Sequence, residues 1–294
     1  ESNIHSVIAD VRNKEVMRRV FKTYSPQVVY HAAAYKHVPL MEENPSQAIQ
    51  TNVEGTKNVA DLACEFKVKK FVMVSTDKAV NPSNVMGASK RIAEKYVQSL
   101  QLRSVKENNG KGTKFITTRF GNVLGSNGSV VPLFSKQIAA GGPVTITHQD
   151  IIRYFMTIPE ACQLVLEAGS MGKGGEIYIF DMGKPVKIID LARKMIKLAG
   201  FIPDKDIPIK IVGLRPGEKL YEELLNDTSK TIATYHEKIM IAEEIQEEFE
   251  NLHLEIEELI GMSTFFSNED IVAKMKKIVP EFKSMNSAFQ FLDN

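Results

Sequence analysis

The residues best suited to chemistry lie in two short runs, Ser75-Thr76-Asp77-Lys78 and Val85-Met86-Gly87-Ala88-Ser89-Lys90. An acid and an amine stand side by side after an apolar stretch. A helix then carries a second lysine four residues beyond Met86. Positions i and i+4 share one helix face, so Met86 and Lys90 are expected to point into the same crevice as Thr76, Asp77 and Lys78. Such a set can give a proton to one substrate atom and take one from another. Met86 cannot share in this, because a thioether neither takes nor gives a proton. The plainer alternatives are a surface ion pair for Asp77-Lys78 and an exposed helix lysine for Lys90.

Elements must hold these groups. Lys69–Ser75 reads as a buried strand, and the stretch from Val85 to Leu102 as a helix. Before them come a helix from Asn13 to Tyr24, a continuous apolar run at Val28–Ala34 typical of a strand covered on both faces, and a long helical stretch from Asn44-Pro45 to about Phe66. A strand from Lys114 to Arg119 follows. Strands alternating with helices predict a doubly wound parallel sheet, which binds ligands beyond the carboxyl ends of its strands. Those ends are Asp10 (after Val7-Ile8-Ala9), His31–Ala34, Ser75–Lys78 and Arg119–Asn122. Past residue 125 glycine and proline become frequent and the elements short. Lys187–Ala199 reads as one more amphipathic helix. From about Glu237 the chain reads as helical and acidic, with Glu243, Glu244, Glu247, Glu248 and Glu250 on a solvated face.

Bulk properties narrow the partners. The chain has 294 residues, 43% apolar and 25% charged, with a formal net charge of +1. That balance supports a sizeable core and argues against nucleic acid or an anionic membrane as partner. Cys64 and Cys162 are far apart and match no metal spacing, so both read as buried thiols of a reducing, cytoplasmic setting, and no metal site is expected. No run approaches the length of a membrane helix, and the first residues do not form a signal peptide.

The motifs resemble the extended short-chain dehydrogenase/reductase family. Within it, Thr76-Asp77-Lys78 followed by Asn81-Pro82-Ser83-Asn84 is similar to the UDP-N-acetylglucosamine 4,6-dehydratases of polysaccharide biosynthesis. Supporting matches are His31–Pro39, Thr51–Thr56, Arg119–Ser126 and Arg215-Pro216-Gly217-Glu218-Lys219-Leu220, spanning Ile8 to Glu244. The family has Tyr where Met86 stands, and the long, membrane-anchored subgroup resembled here also carries Met. The resemblance implies a Rossmann-like sheet and a smaller α/β substrate-binding part. It divides the chain into a partial NAD(P)-binding domain at 1–125, a substrate-binding region at 126–236 with segments returning to the sheet, and a helical acidic extension at 237–294.

It also implies a reaction. The C4 hydroxyl of a UDP-N-acetyl sugar is oxidised by NAD or NADP, water is eliminated across C5 and C6, and the hydrogen returns to C6. Asp77 is then the acid at the C6 oxygen, Lys78 the base at C5, and Thr76 a hydrogen-bond partner of the C4 oxygen. Lys90 is then expected to bind the nicotinamide ribose; with Tyr absent, our own expectation is that Asp77, directly or through a water, covers its role. The base role asks for an amine that has lost its proton, which burial favours and a neighbouring carboxylate opposes.

Asp10, Val11, Ala32, Ala33, Ala34, Lys36, Asn52 and Ser75 are the further cofactor candidates. Asn122, Ser126, Arg153, Arg215 and Glu218 are the substrate candidates. Alternatives stay open: Asp10 as a helix cap, Asn52 as a brace, His31 as a packed histidine, Arg215 as a turn cap. At the level of function they are a UDP-sugar 4-epimerase or a silent nucleotide-sugar-binding module. The family's glycine-rich phosphate loop has no counterpart before Asp10. The chain therefore reads as N-terminally incomplete by two βα units, with Val28–Tyr30 left as an exposed edge and with weak cofactor binding on its own. A homo-oligomer and upstream membrane spans are expected of the parent protein.

Overall fold

The computed structural model of the chain describes residues 3–108, 111–223, 231–244 and 248–293. Its first half runs α1 (Lys14–Tyr24), β1 (Val28–His31), α2 (Val38–Glu43), α3 (Pro45–Ala48), α4 (Gly55–Glu65), β2 (Lys70–Val74), α5 (Val85–Asn108) and β3 (Lys114–Arg119). Between α3 and α4 the helix widens into a π turn over Ile49–Glu54. Then come β4 (Asn122–Val123), α6 (Val130–Ala139), β5 (Val144–Ile146), β6 (Ile152–Arg153), β7 (Phe155–Met156), α7 (Ile158–Met171), β8 (Ile177–Phe180), β9 (Val186–Lys187), α8 (Ile188–Leu198) and β10 (Ile209–Ile211). The remaining elements are β11 (Thr231–Ala233), β12 (Ile239–Ala242), α9 (Phe249–Phe265) and α10 (Asn268–Ile278).

Side-chain alternation makes the sheet two-sided. Phe71 and Met73 of β2 and Phe115 of β3 enter a core with α4, α5, α9 and α10. Their neighbours Val72 and Ile116 enter another with α7, Tyr178 and Phe180. Continuous burial, with successive side chains entering opposite cores, demands cover on both faces. Each large apolar side chain so buried contributes about 1.5–3 kcal/mol. The strand order is β1-β2-β3-β8-β12-β11. The first four strands are parallel, and β12 and β11 join antiparallel. A third core, with Phe134, Ile138, Val144, Ile188, Ile196 and Ile207, belongs to the smaller unit of α6, β5, α8 and β10. No helix among the described residues is long and apolar enough to cross a membrane.

Five expectations are corrected. Val7–Ala9 is no strand: Ile8 is fully exposed and the segment has no ladder partner among the described residues. The Val28 run pairs as far as His31 and not to Ala34, and among the described residues with β2 alone, so it is not covered on both faces: Val28 and Tyr30 are about two-fifths exposed, and β1 stands at the edge as expected. The chain after Glu237 opens with β12, because Ile239–Ala242 meets Phe180–Ile177 in the sheet. Glu244 is no solvated acid, being 8% exposed against Arg91 and Arg119; Glu247 lies outside the described residues. Of the two thiols, Cys162 is exposed and Cys64 half-buried.

Candidate active site

The site begins where β2 stops. Ser75 N donates to Thr118 O at 2.7 Å and Asp77 N to Phe120 O at 3.1 Å, so the turn stays zipped to β3 as it leaves the sheet. The Thr76 hydroxyl accepts from Lys78 N at 3.4 Å and caps a single 3-10 turn over Asp77–Ala79. That turn buries Asp77, 2% exposed, with Gly121 opposite; a Cβ there would stand 3.1 Å from Asp77 Oδ2. Asn84 then caps α5 by accepting from Gly87 N at 2.7 Å. The helix start presses on the turn so closely that a Cβ at Gly87 would lie 2.1 Å from Lys78 O. Only glycine permits that approach.

Asp77 Oδ1 accepts from the Thr76 hydroxyl at 2.9 Å and from Lys78 Nζ at 3.0 Å. Lys78 Nζ also donates to Asn122 Oδ1 at 3.3 Å and lies 3.6 Å from Glu222 Oε1. Burial works against this ammonium, but Asp77 and then Glu222 outweigh it and hold its pKa above the ordinary lysine value, with Arg153 opposing. Of the two opposed influences on Lys78, the carboxylates prevail over burial and favour the ammonium.

Lys90 reaches the same strand end, donating to Val74 O at 2.8 Å. Burial brings its pKa down to about 8, Glu94 opposing. The folded value lies below the ordinary 10.5, so a charged Lys90 costs the fold stability below about pH 8, and the cost fades as the pH rises to 10.5. The stability of Lys90→Met relative to the unaltered chain should therefore fall between pH 8 and 10.5. Urea unfolding at both values checks this, and a pH-independent difference would contradict a buried titrating amine. Met86 does not share the polar crevice. It is 3% exposed and packs in the largest apolar core.

The cofactor candidates divide. Ala32 and Ala33 are exposed and Ala34 half-buried just past β1, and Lys36 is exposed. Asn52 is wholly buried in the π turn. Its side chain accepts from Tyr35 N at 2.7 Å and donates to Tyr35 O at 3.0 Å and Ser89 Oγ at 2.9 Å. It braces the loop after β1 against α5, which leaves it no direct role toward a ligand. The Asp10 carboxylate is taken by Arg12, through Nε at 3.1 and 3.0 Å and Nη2 at 2.6 Å, and the Arg12 bond holds it below the usual carboxylate range. Helix α1 is capped by Asn13 instead of Asp10. Val11 packs on Gly55, where a Cβ would meet its Cγ2 at 2.6 Å. His31 is a packed histidine: Thr56 Oγ1 donates to Asn52 O, so the His31 Nε2–H donates to Thr56 at 2.9 Å, and burial lowers its pKa to about 3.

Among the substrate candidates, Asn122 touches Lys78. Arg153 is buried and spent on backbone: Nη1 donates to Ile152 O and Leu220 O at 2.7 and 3.2 Å, and Nη2 to Lys219 O at 2.8 Å. It fixes the 218–222 segment and is less free for a ligand than the motif implied. Arg215 is exposed and 3.3 Å from Glu218. Ser126 lies half-buried in the turn after β4, its N donating to Val123 O at 3.3 Å. Glu222 was not foreseen. The only signal for it was its place two residues beyond the Arg215–Leu220 motif. Among the described residues no group of acidic, histidine and cysteine side chains could hold a metal.

The family described as "Polysaccharide biosynthesis protein" matches residues 1–244. The capsular polysaccharide biosynthesis protein CapD of Staphylococcus aureus is 60% identical over 233 residues, 79% of this chain and 38% of that protein. A UDP-glucose 4-epimerase of Rickettsia canadensis and a UDP-N-acetylglucosamine 4,6-dehydratase (inverting) of Campylobacter jejuni are 40% and 39% identical, each over 74% of this chain and 61% of its own length. The crystal structure of Pen from Bacillus thuringiensis superposes with a TM-score of 0.74 at 35% identity, covering 84% of this chain and 75% of that one. The chain thus spans well under half the length of CapD.

Proposed function

The chain belongs to the polysaccharide biosynthesis protein family that matches its first 244 residues, and on that premise we propose that it carries the acid–base centre of a UDP-N-acetylhexosamine 4,6-dehydratase. The observation that supports this most is the buried Asp77–Lys78 contact of 3.0 Å, with Thr76 and Asn122 attached to it. A C4 oxidation alone needs no such pair, whereas elimination needs an acid and a base together.

The residues fit the nicotinamide side of a dinucleotide. Ala32 and Ala33 leave the end of β1 free of bulk, and Lys90 brings a buried amine to the end of β2. When bound, NAD or NADP supplies the oxidant for C4 and the reductant for C6. Ala32–Ala34, Ser75, Lys90 and, at the rim, Val11 and Lys36 would hold it. Asn122, Ser126, Arg215 and Glu218 would face the nucleotide sugar, Arg215 offering a planar fork to diphosphate. On this reading residues 1–125, with α7, β8, β12 and β11, form the cofactor side, and the α6–β5–α8–β10 unit the sugar side.

Proton traffic follows from the pair. Asp77 takes the C4 hydroxyl proton as that carbon is oxidised. Its charge is then gone, the hold on the Lys78 ammonium loosens, and Lys78 releases its proton to solvent. The 4-ketone acidifies C5; Lys78 takes the C5 proton while Asp77 gives its own to the departing C6 hydroxyl. Lys78 returns a proton to C5 as C6 is reduced and is recharged from solvent. Protons balance, and one water leaves.

Incubating the full-length protein with UDP-N-acetylglucosamine in deuterated water should give a product lighter by one water and labelled at C5. Interconversion at C4 with no loss of water would favour the epimerase reading that one relative's name invites, and binding without turnover a silent module.

A further inference from the structure

We propose that Glu222 is a positioning residue that governs when Lys78 can give up its proton. The inference rests on the reading of Lys78 as the C5 base and adds a residue to it. Glu222 is nearly buried, its side chain 6% exposed. Its Oε1 stands 3.6 Å from both Lys78 Nζ and Arg153 Nη2. The charged groups facing Lys78 are thus Asp77 from its own turn, Glu222 from the 218–222 segment and Arg153 from β6.

That segment is firmly tied. Arg153 bonds three carbonyls, those of Ile152, Lys219 and Leu220. Lys219 Nζ donates to Asn81 O at 2.7 Å, and Ser83 Oγ and Asn84 Nδ2 each donate to Gly217 O at 3.0 Å. Glu222 is therefore delivered to Lys78 by residues on both sides of the crevice. Once Asp77 is protonated, Glu222 is the remaining close carboxylate on Lys78. A carboxylate at this distance favours the charged amine. Arg153, equally near, draws Glu222 the other way and limits that hold. The reaction needs both: an ammonium that stays in place while the sugar binds, and one that can still be discharged.

Glu222→Gln keeps the shape and removes the charge. The test follows the Lys78 side-chain Cε resonance through a pH titration of the chain, assigned with Lys78→Arg. In Glu222→Gln the titration midpoint should move down by at least about one pH unit. In turnover, the rising limb of kcat against pH should move the same way, with KM changed less. A midpoint that stays put while the melting temperature drops would reduce Glu222 to a structural part and overturn the inference. If the variant does not fold, Glu222→Asp, which withdraws the charge by one methylene, should give a smaller displacement of the same sign; none at all would overturn it. The NMR readout needs no substrate. Failure of the full-length protein to label C5 would therefore count against the dehydratase reading alone.

Discussion

Asp77→Asn should lower dehydration turnover by about 10²–10⁴-fold, the usual reach of a positioned acid–base group, with the fold intact. The amide oxygen can still accept from the Thr76 hydroxyl and Lys78, which now sit at 2.9 and 3.0 Å. It cannot carry the C4 proton to the C6 oxygen. The loss should already appear in a single turnover, as slowed formation of reduced cofactor. Wild-type rates of cofactor reduction with a block only afterwards would remove Asp77 from the oxidation step and leave it the elimination alone. Lys78 should remain protonated less firmly in this variant, since its nearest carboxylate is gone while Glu222 stays.

Glu94→Gln should destabilise the chain by about 3–5 kcal/mol, the range for breaking a buried ion pair from one side. Glu94 is completely buried and grips Arg119 in two bonds, Nε to Oε1 at 2.9 Å and Nη2 to Oε2 at 2.5 Å. Arg91 touches it at 3.3 Å, and Glu244 bridges Arg91 and Arg119 from the far side. Arg91 also pairs with Glu281 at 3.0 Å. The neutral amide cannot accept both Arg119 bonds, so Arg119 loses its two-bond partner and is left to share Glu244 with Arg91. A loss of that size is a large part of what a domain possesses. Urea unfolding measures it, and a change under 1 kcal/mol would show the network to be solvated. Exchanging Glu94 and Arg119 together for apolar residues of like volume should recover much of the loss.

What the sequence displayed and what it hid follow one physical divide. Local contrast was legible. The apolar run into Ser75, the proline and asparagine loop and the helix after it announced the strand–turn–helix that carries Asp77, Lys78 and Lys90. Non-local pairing was not. Nothing near Lys78 foretells Glu222, 144 positions on by its number, and nothing near Arg119 foretells Glu94 and Glu244 as its partners. Ile239–Ala242 was hidden differently: acidic neighbours suggested a solvated helix, while four apolar or small residues in a row suit a strand laid beside β8. The strand before Asp10 was misread because a strand forms only where something pairs with it, and Val7–Ala9 has no partner among the described residues. Met86 was misplaced because helix periodicity gives a face and not the depth of its neighbours; it lies in the core that α4, α5, α9 and α10 share.

The way β12 and Glu244 are tied in bears on how the molecule can be divided. The sequence suggests a seam near residue 237, with a helical appendage beyond it that could be trimmed away. A cut there would strip β8 of a hydrogen-bonded neighbour and take from Arg91 and Arg119 a shared anion. The segment after 237 thus shares a strand and an anion with the sheet whose ends carry Asp77 and Lys78, so its removal should be felt there as well.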